Sequence, residues 1–283
     1  HRTRPSLLVV ENSATWEGGP EEVVVDMAMV VLPYGPQSAD FEALPTPGPS
    51  TVPVDGHDKG VHRYAGVTRM VETDYAKKVT VATAAHAPPT LTLRRGEAYV
   101  TAAAFRSSLD SDDPQQEALY DLQKVLEDCA TQGAGSVREE HEQEWARLWQ
   151  SGFEVDRPDV AKAVNTSLYY IISSINTERP YSLSPGSLAS NGYNGHTFWD
   201  AETWMYPPLL MWHPSLARSM LRYREDRLQG AALKAQGYNQ GYKGNMFAWE
   251  SAFSGSETCP VGYDTGRLEQ HISGDIALAM QQY

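Results

Sequence analysis

The sequence predicts a β-rich front part followed by a helical part. Up to about Ser108, apolar residues come in short β-branched runs that Pro and Gly clusters separate, which is the pattern of strands joined by turns. At Asp113-Pro114 the spacing of apolar residues changes to that of a helix. Helical patterns then dominate from Pro158 to Tyr283. We therefore expect a β domain at residues 1–112, a helical linker at 113–156 and a helical domain at 157–283.

The front part contains five segments whose composition predicts strands. These segments are Leu7 to Val10, Val23 to Leu32, Val61 to Val71, Lys78 to Ala84 and Leu91 to Phe105. Between them, Leu44 to Gly56 is rich in Pro, Thr and Gly and has no periodicity, so we expect an exposed loop there. Short strands separated by turns in this way predict an antiparallel β-sandwich.

Helix starts and apolar stripes define the second half of the chain. Asp113 can cap a helix and Pro114 suits its first position, while Ser136 and Glu139 have the spacing of a capping box for a second helix. These two helices form the predicted linker. Further helices are predicted at Val160 to Ile175, Glu202 to Trp212, Ser215 to Ala235 and from Leu268 onward.

The charge balance excludes two classes of partner. The chain has 36 acidic and 23 basic residues and a formal charge of −13, so nucleic acid and anionic membrane surfaces would repel it. Apolar runs such as Val23 to Val31, which Asp26 interrupts, are much shorter than the roughly 20 residues that span a bilayer. We expect a soluble protein that binds neither nucleic acid nor membrane.

The termini and the two cysteines leave the compartment open. Because the first residue is His1 and not Met, we expect the true amino terminus, and any signal it held, to lie outside this sequence. Cys129 and Cys259 do not make a disulfide framework, and we favour the cytoplasm slightly over a secreted or lysosomal location. No Cys and His cluster has metal-ligand spacing and no phosphate-binding loop is present, so we expect no metal and no cofactor.

A first candidate binding motif runs from Asn191 to Asp200. Its Gly and Asn residues allow a tight backbone turn, Trp199 offers a flat apolar face and Asp200 offers acceptors for sugar hydroxyls. The same residues also suit a plain helix start, in which Asp200 caps the helix and the tryptophans lie in the core. Taken alone, the motif supports both interpretations equally.

A second motif, Gly244 to Ala252, repeats this pattern. Trp249 directly precedes Glu250, and Glu257 follows as a second acid. Two Trp-acid pairs, each at the mouth of a helix, favour a pocket that stacks a pyranose ring on aromatic faces and binds its hydroxyls with carboxylates. The repetition therefore favours a carbohydrate-binding function.

Four segments together resemble glycoside hydrolase family 65. They are Gly195 to Trp204, Arg222-Tyr223-Arg224, Phe247 to Ala252 and His271 to Ala277. That family holds inverting phosphorylases of maltose, kojibiose and trehalose, and hydrolases such as acid trehalase. The resemblance is greatest to members that remove glucose from the disaccharide on collagen hydroxylysine. Ala248, where the phosphorylases usually have Pro, favours the glucosidase side.

The resemblance implies an architecture and a set of site residues. It implies a β-sandwich, a helical linker and an (α/α)6 barrel, of which residues 157–283 supply the early helices. It implies that Trp199 and Asp200 bind the glucose at the cleaved end and that Trp249 and Glu250 line the same subsite. His271, like the nearby Asp275, matches the next family segment, and we include His271 among the expected substrate-binding residues.

No catalytic residue is assigned within this chain. In the family, the general acid is a glutamate in a later segment and the water-activating base lies later still, so both are expected beyond Tyr283. Inversion needs two carboxyl groups about 6.5 to 9.5 Å apart with water between them. We therefore expect this sequence to be an incomplete piece of the enzyme and to be inactive alone.

The resulting functional hypothesis is an inverting exo-α-glucosidase that acts on a carbohydrate or a glycosylated hydroxylysine. A disaccharide phosphorylase or an acid trehalase of the same family is the nearest alternative. A non-catalytic glycan-binding protein is an alternative of another class. The sequence does not determine the oligomeric state.

Overall fold

A computed structural model describes residues 1–26, 41–45, 60–69, 77–179, 181–190 and 192–283. The described residues up to Arg147 form one compact unit, and Leu148 to Tyr283 form the body of a second. Strands lie in the first unit and most of the helices in the second, which confirms the predicted succession of a β-rich part and a helical part. Within the described ranges, no helix is long and apolar enough to cross a membrane.

The first unit is built on a five-stranded antiparallel sheet with the strand order β1-β7-β5-β4-β3. The strands are β1 (Leu7–Ser13), β3 (Phe41–Ala43), β4 (Val61–Thr68), β5 (Thr80–His86) and β7 (Ala98–Ser107). A separate antiparallel pair joins β2 (Glu22–Asp26) to β6 (Thr90–Arg94). The described strands therefore form two sheets, neither of which is closed into a barrel.

Two features of the sheets differ from the prediction. The segment Leu91 to Phe105 is not one strand, because a turn at Gly96, whose φ is +77°, separates β6 from β7. The strand β3 was not predicted, since three residues are too few to show alternation. The later parts of Val23 to Leu32 and Val61 to Val71, and most of the predicted loop at Leu44 to Gly56, lie outside the described residues.

Helix α1 (Pro114–Gln132) covers one face of the five-stranded sheet. It begins as predicted, with the Asp113 side chain accepting a hydrogen bond from the Gln116 backbone N–H at 3.1 Å. Its apolar stripe joins one hydrophobic core with the sheet, in which Leu122 is fully buried. The sheet contributes mainly alanines to this core, such as Ala104 between β1 and β5, so the helix can approach closely.

In the part of the chain that the structure describes, seven further α-helices follow α1. They are α2 (Ser136–Leu148), α3 (Pro158–Ser173), α4 (Tyr206–Trp212), α5 (Pro214–Glu225), α6 (Leu228–Gly237), α7 (Thr265–Leu268) and α8 (Ile272–Gln282). The helix predicted at Glu202 to Trp212 starts as a π turn at Ala201–Met205 before α4 begins. Pro207 and Pro208, in the first turn of α4, lack the N–H groups that would donate α-helical hydrogen bonds back into the π turn.

Two other helix predictions need correction. The segment Ser215 to Ala235 is two helices, because the backbone leaves helical geometry at Arg227, whose guanidinium bonds the carbonyl of Phe253 at 2.7 Å. The last long helix begins at Ile272 and not near Leu268, because Glu269 is extended (φ −72°, ψ 117°).

Helix α6 meets the following loop backbone to backbone. A Cβ on Gly230 would lie 2.5 Å from the carbonyl carbon of Gly255. A Cβ on Gly255, whose φ is +82°, would lie 2.5 Å from the Cβ of Arg227. Only glycine fits at both positions, and this close approach places the loop that carries Glu257 against α6.

We expect Leu122→Ala to lower the free energy of unfolding by about 2–5 kcal/mol, since it removes a fully buried side chain from the core between α1 and the sheet. Denaturant unfolding followed by circular dichroism measures the loss. Tyr120→Ala, on the exposed side of the same helix, is the control and should change stability by less than about 1 kcal/mol. Equal losses for the two variants would contradict this description of the core.

Candidate functional site

The first loop turns sharply before its Trp-acid pair. Tyr193 and Asn194 lie in a tight turn with φ values of +61° and +53°, and a glycine with positive φ follows. This left-handed geometry is uncommon outside Gly and Asn. The turn therefore reverses the chain a few residues before Trp199 and Asp200.

The side chain of Asp200 does not cap the helix that follows. Asp200 precedes the π turn at Ala201–Met205, but its carboxylate makes no capping hydrogen bond. It is half-buried, and among the residues that the structure describes it has no partner. Trp204 is 62% exposed and so does not lie in the core. A helical segment does begin here, as the second interpretation expected, but the Asp200 side chain does not cap it and Trp204 lies outside the core.

Backbone pairing joins the second loop to the first. Thr197 and Ser251 exchange two hydrogen bonds, Thr197 N to Ser251 O at 2.8 Å and Ser251 N to Thr197 O at 2.9 Å. On its other side Ser251 bridges to Glu257. Three short antiparallel segments thus hold the two Trp-acid motifs side by side, although about 50 residues of sequence separate them.

Side chains reinforce this junction. Nδ1 of His196 lies 2.6 Å from Oε1 of Glu250, whose residue is 6% exposed. The rings of Phe198 and Trp249 meet edge to face, with centroids 5.0 Å apart. The residues that flank Trp199 in the first motif therefore contact the Trp-acid pair of the second.

One oxygen of Glu250 is left for a ligand. The backbone N–H of Glu250 donates to Glu257, its carbonyl accepts from Thr258, and Oε1 faces His196. Within the described part of the chain, Oε2 has no partner, and it is not sealed off from solvent. With its backbone bound on both sides and Oε1 facing His196, Glu250 presents Oε2 as a single acceptor.

The third predicted segment packs against Trp199. The imidazole of His271 meets the Trp199 ring edge to face, with centroids 4.9 Å apart. Its Nδ1 lies 2.6 Å from Oδ2 of Asp275, and its Nε2 lies 3.5 Å from Glu269. The hydrogen bond to Asp275 raises the pKa of His271 above its usual value. This pair therefore favours a protonated imidazole beside the indole.

A fully buried ion pair lies beneath the first motif. The Arg224 guanidinium donates to both carboxylate oxygens of Glu202, at 2.7 and 2.9 Å, and to the carbonyl of Phe198 at 3.3 Å. The side chains of Arg224 and Glu202 are 2% and 0% exposed. Burial, the largest single effect, acts to lower the pKa of Arg224, but the charge of Glu202 and its hydrogen bonds together raise that pKa above the usual value. The guanidinium thereby links the carbonyl that precedes Trp199 to the side chain of Glu202 that follows it.

The predicted site residues fall into two contacting groups. Trp199 contacts His271, and Trp249 with Glu250 contacts the residues just before Trp199. Asp200 follows Trp199 and touches none of the others through a described side-chain contact. Sequence reasoning missed the contribution of His196, because its contact with Glu250 depends on a pairing across 54 residues that no local pattern reveals.

A cavity of about 500 Å³ lies close to this site but does not coincide with it. It is lined by residues that include Lys234, Tyr238, Glu257 and Arg267, and by none of the five predicted sugar-binding residues. We place the candidate site at the two Trp-acid motifs, because their unpaired carboxylate oxygens suit sugar hydroxyls. In the described residues, no three His, Cys, Asp or Glu side chains converge as metal ligands.

Comparison with known proteins identifies the second half of the chain. The glycosyl hydrolase family 65 central catalytic domain matches residues 165–283. These residues belong to glycoside hydrolase family 65. The matched range contains both Trp-acid motifs, the buried ion pair and the His271 segment.

Curated proteins that are similar to this chain are much longer than it is. The protein-glucosylgalactosylhydroxylysine glucosidase of Dictyostelium discoideum is 43% identical over 76% of this chain and 30% of its own length. A kojibiose hydrolase of Flavobacterium johnsoniae is 40% identical over 68% of this chain and 28% of its own length. The chain thus spans about 30% of the length of these relatives.

A solved structure has a similar fold. A protein from the human microbiome, provisionally named a kojibiose phosphorylase, matches 86% of this chain and 32% of its own, with a TM-score of 0.60. Its sequence identity to this chain is 14%, so the likeness concerns the fold alone. It agrees with a β-rich part that is followed by helices.

We expect Asp275→Asn to lower the pKa of His271 toward the usual value of about 6.5, because the neutral amide no longer favours the imidazolium. The wild-type pair stabilises the fold below the usual His pKa, and this contribution is lost as the pH rises through the raised pKa of His271. NMR titration of the His271 ring measures the shift, with His271→Gln to assign its signal. An unchanged titration midpoint in Asp275→Asn would contradict the assigned cause.

Proposed function

We propose that the full-length protein containing this chain is an inverting exo-α-glucosidase, which removes the terminal glucose from a glucosyl-galactosyl-hydroxylysine-type glycan. It needs no cofactor. Trp199, Asp200, Trp249, Glu250 and His271 form the subsite for the departing glucose. The observation that carries the proposal is the junction of the two Trp-acid motifs, in which Glu250 touches His196 and Trp249 touches Phe198.

The chemistry of the junction suits a pyranose. A sugar has an apolar face formed by its C–H groups and a rim of hydroxyls, so it binds between aromatic rings and carboxylate acceptors. Asp200 supplies two unpaired oxygens and Glu250 supplies one, while Trp199, which precedes Asp200, is half-buried. The names of the Dictyostelium and Flavobacterium relatives, a glucosidase and a hydrolase, support hydrolysis of a glucoside.

The proposed architecture extends beyond this chain. We place the two described sheets in a β-sandwich at 1–112, the helices α1 and α2 in a linker at 113–156, and residues 157–283 in an (α/α)6 barrel. The general acid and the water-activating base belong to later segments of that barrel. Water then attacks the face of the glucose opposite the departing group, which inverts the anomeric configuration.

A disaccharide phosphorylase is the alternative within the family. Phosphate would replace water as the nucleophile, and the glucose subsite would be unchanged. Ala248, which is 1% exposed and precedes Trp249, stands where the phosphorylases usually have Pro, and this favours the hydrolase. Acid trehalase differs from the proposed function only in the leaving group, and a glycan-binding protein would hold the sugar without turnover.

We expect Asp200→Ala and Glu250→Ala in the full-length protein each to lower kcat/KM by about 10- to 150-fold, since each removes hydrogen bonds from a charged acceptor worth roughly 1.5–3 kcal/mol. Initial rates of glucose release measure the loss, and thermal unfolding shows whether the fold persists. Glu225→Ala, on an exposed position of α5, is the matched control and should keep wild-type kinetics. Near-normal kinetics in either site variant would assign that Trp-acid pair a structural role.

We expect the full-length protein to release glucose from glucosyl-galactosyl-hydroxylysine faster than from trehalose or maltose, first as the β-anomer. Inversion at an α-linked carbon places the new hydroxyl in the β position. Anomeric proton signals recorded early in the reaction by NMR, with and without inorganic phosphate, test this. Initial α-glucose would refute inversion, a sugar phosphate would identify a phosphorylase, and β-glucose chiefly from trehalose would identify an acid trehalase.

A further inference from the structure

The carboxylate of Glu257 is surrounded by donors that it shares with the second Trp-acid motif. Oε2 accepts from the backbone N–H of Trp249 at 2.9 Å, and Oε1 accepts from that of Glu250 at 3.0 Å. Oε1 also accepts from the N–H of Cys259 at 3.2 Å. The ammonium of Lys234 lies 2.6 Å from Oε2. We call this set, Glu257 with Lys234 and the three amides, the Glu257 cluster.

Two consecutive peptide groups bound by the two oxygens of one carboxylate cannot rotate independently. The N–H groups of Trp249 and Glu250 point at the same group, so the directions in which their side chains leave the backbone are set together. The bridge between Ser251 and Glu257 continues this pairing by one residue. The carboxylate of Glu257 thus controls the backbone from which the indole and the acceptor oxygen project.

Lys234 completes the cluster. Its side chain is 6% exposed, and a buried ammonium is costly unless it is paired. It reaches Glu257 from helix α6, whose Gly230 is in backbone contact with the loop at Gly255. The pair therefore ties the Trp249 segment to a rigid helix.

We propose that Glu257, held by Lys234, is a positioning residue for the glucose subsite: it orients Trp249 and Glu250 without touching the sugar itself. Because the ligand is taken to be glucose, this role rests on the proposed function. The role explains why an acid stands seven residues after Glu250, where sequence reasoning had left it without a function.

The test compares Glu257→Gln with wild type in the full-length protein. Glutamine keeps one acceptor oxygen but turns an NH2 group toward N–H donors, so the contact with the N–H of either Trp249 or Glu250 is lost. We expect the Kd for D-glucose, measured by calorimetry on folded protein, to rise about tenfold or more. Backbone hydrogen exchange at Trp249 and Glu250 should accelerate in the same variant.

The charge partner provides a rescue experiment. Lys234→Met should weaken glucose binding as Glu257→Gln does, and the double variant should lose little more, because both changes disrupt one pair. Lys234→Arg should restore binding, since the cavity of about 500 Å³ that Lys234 lines has room for a guanidinium. Asp264→Asn, in an exposed ion pair with Arg267, is the control and should leave affinity unchanged.

The outcomes separate this role from others. The Glu257→Gln variant could unfold at a lower temperature and yet keep the wild-type Kd and kcat/KM. Glu257 would then have only a structural role, and the inference would be overturned. If the wild-type protein neither binds glucose nor releases it, the proposed function fails instead. Hydrogen exchange at Trp249 and Glu250 then still decides whether Glu257 holds that segment, and unchanged exchange would overturn the inference by itself.

Discussion

The short backbone pairing between Thr197 and Ser251 is the constraint on which the candidate site depends. Two hydrogen bonds, at 2.8 and 2.9 Å, join loops that the sequence places far apart. The other contacts that the structure describes between the two Trp-acid motifs, those of His196 and Phe198, lie next to this pairing. Such a pairing is weak by itself, so the segments on either side must be held in place by other groups.

Buried charges supply that support on both sides. Arg224 and Glu202 hold the first motif, and Lys234 and Glu257 hold the second. In each case a cation on a helix neutralises a carboxylate, and one member of the pair also binds backbone groups of the loop. Buried ion pairs are often retained for specificity when they add little net stability. Here they hold the two loops in one arrangement, together with the packing of Phe198 against Trp249.

The features that could be predicted from the sequence are those that depend on the spacing of neighbouring residues. The Asp113 cap, the apolar stripe of α1 and the order of strands and helices all follow from spacing and capping chemistry. Two features were missed. One is the helix break at Arg227, whose guanidinium bonds the distant carbonyl of Phe253, and the other is the short turn at Gly96 between β6 and β7. The residues of the two Trp-acid motifs were recognisable, whereas the contacts of His196 and Glu257 were not, since both depend on how separate loops meet.

The contact of Gly230 with Gly255 has a consequence for the order of folding. Neither position has room for a Cβ, so the native conformation of the loop depends on close contact with the backbone of α6. The loop can close only onto a helix that has already formed. Closure costs conformational entropy of the loop, and this cost comes before the contacts between the two loops can offset it. We therefore expect the loop that carries Trp249 and Glu250 to become ordered only after helix α6 has formed.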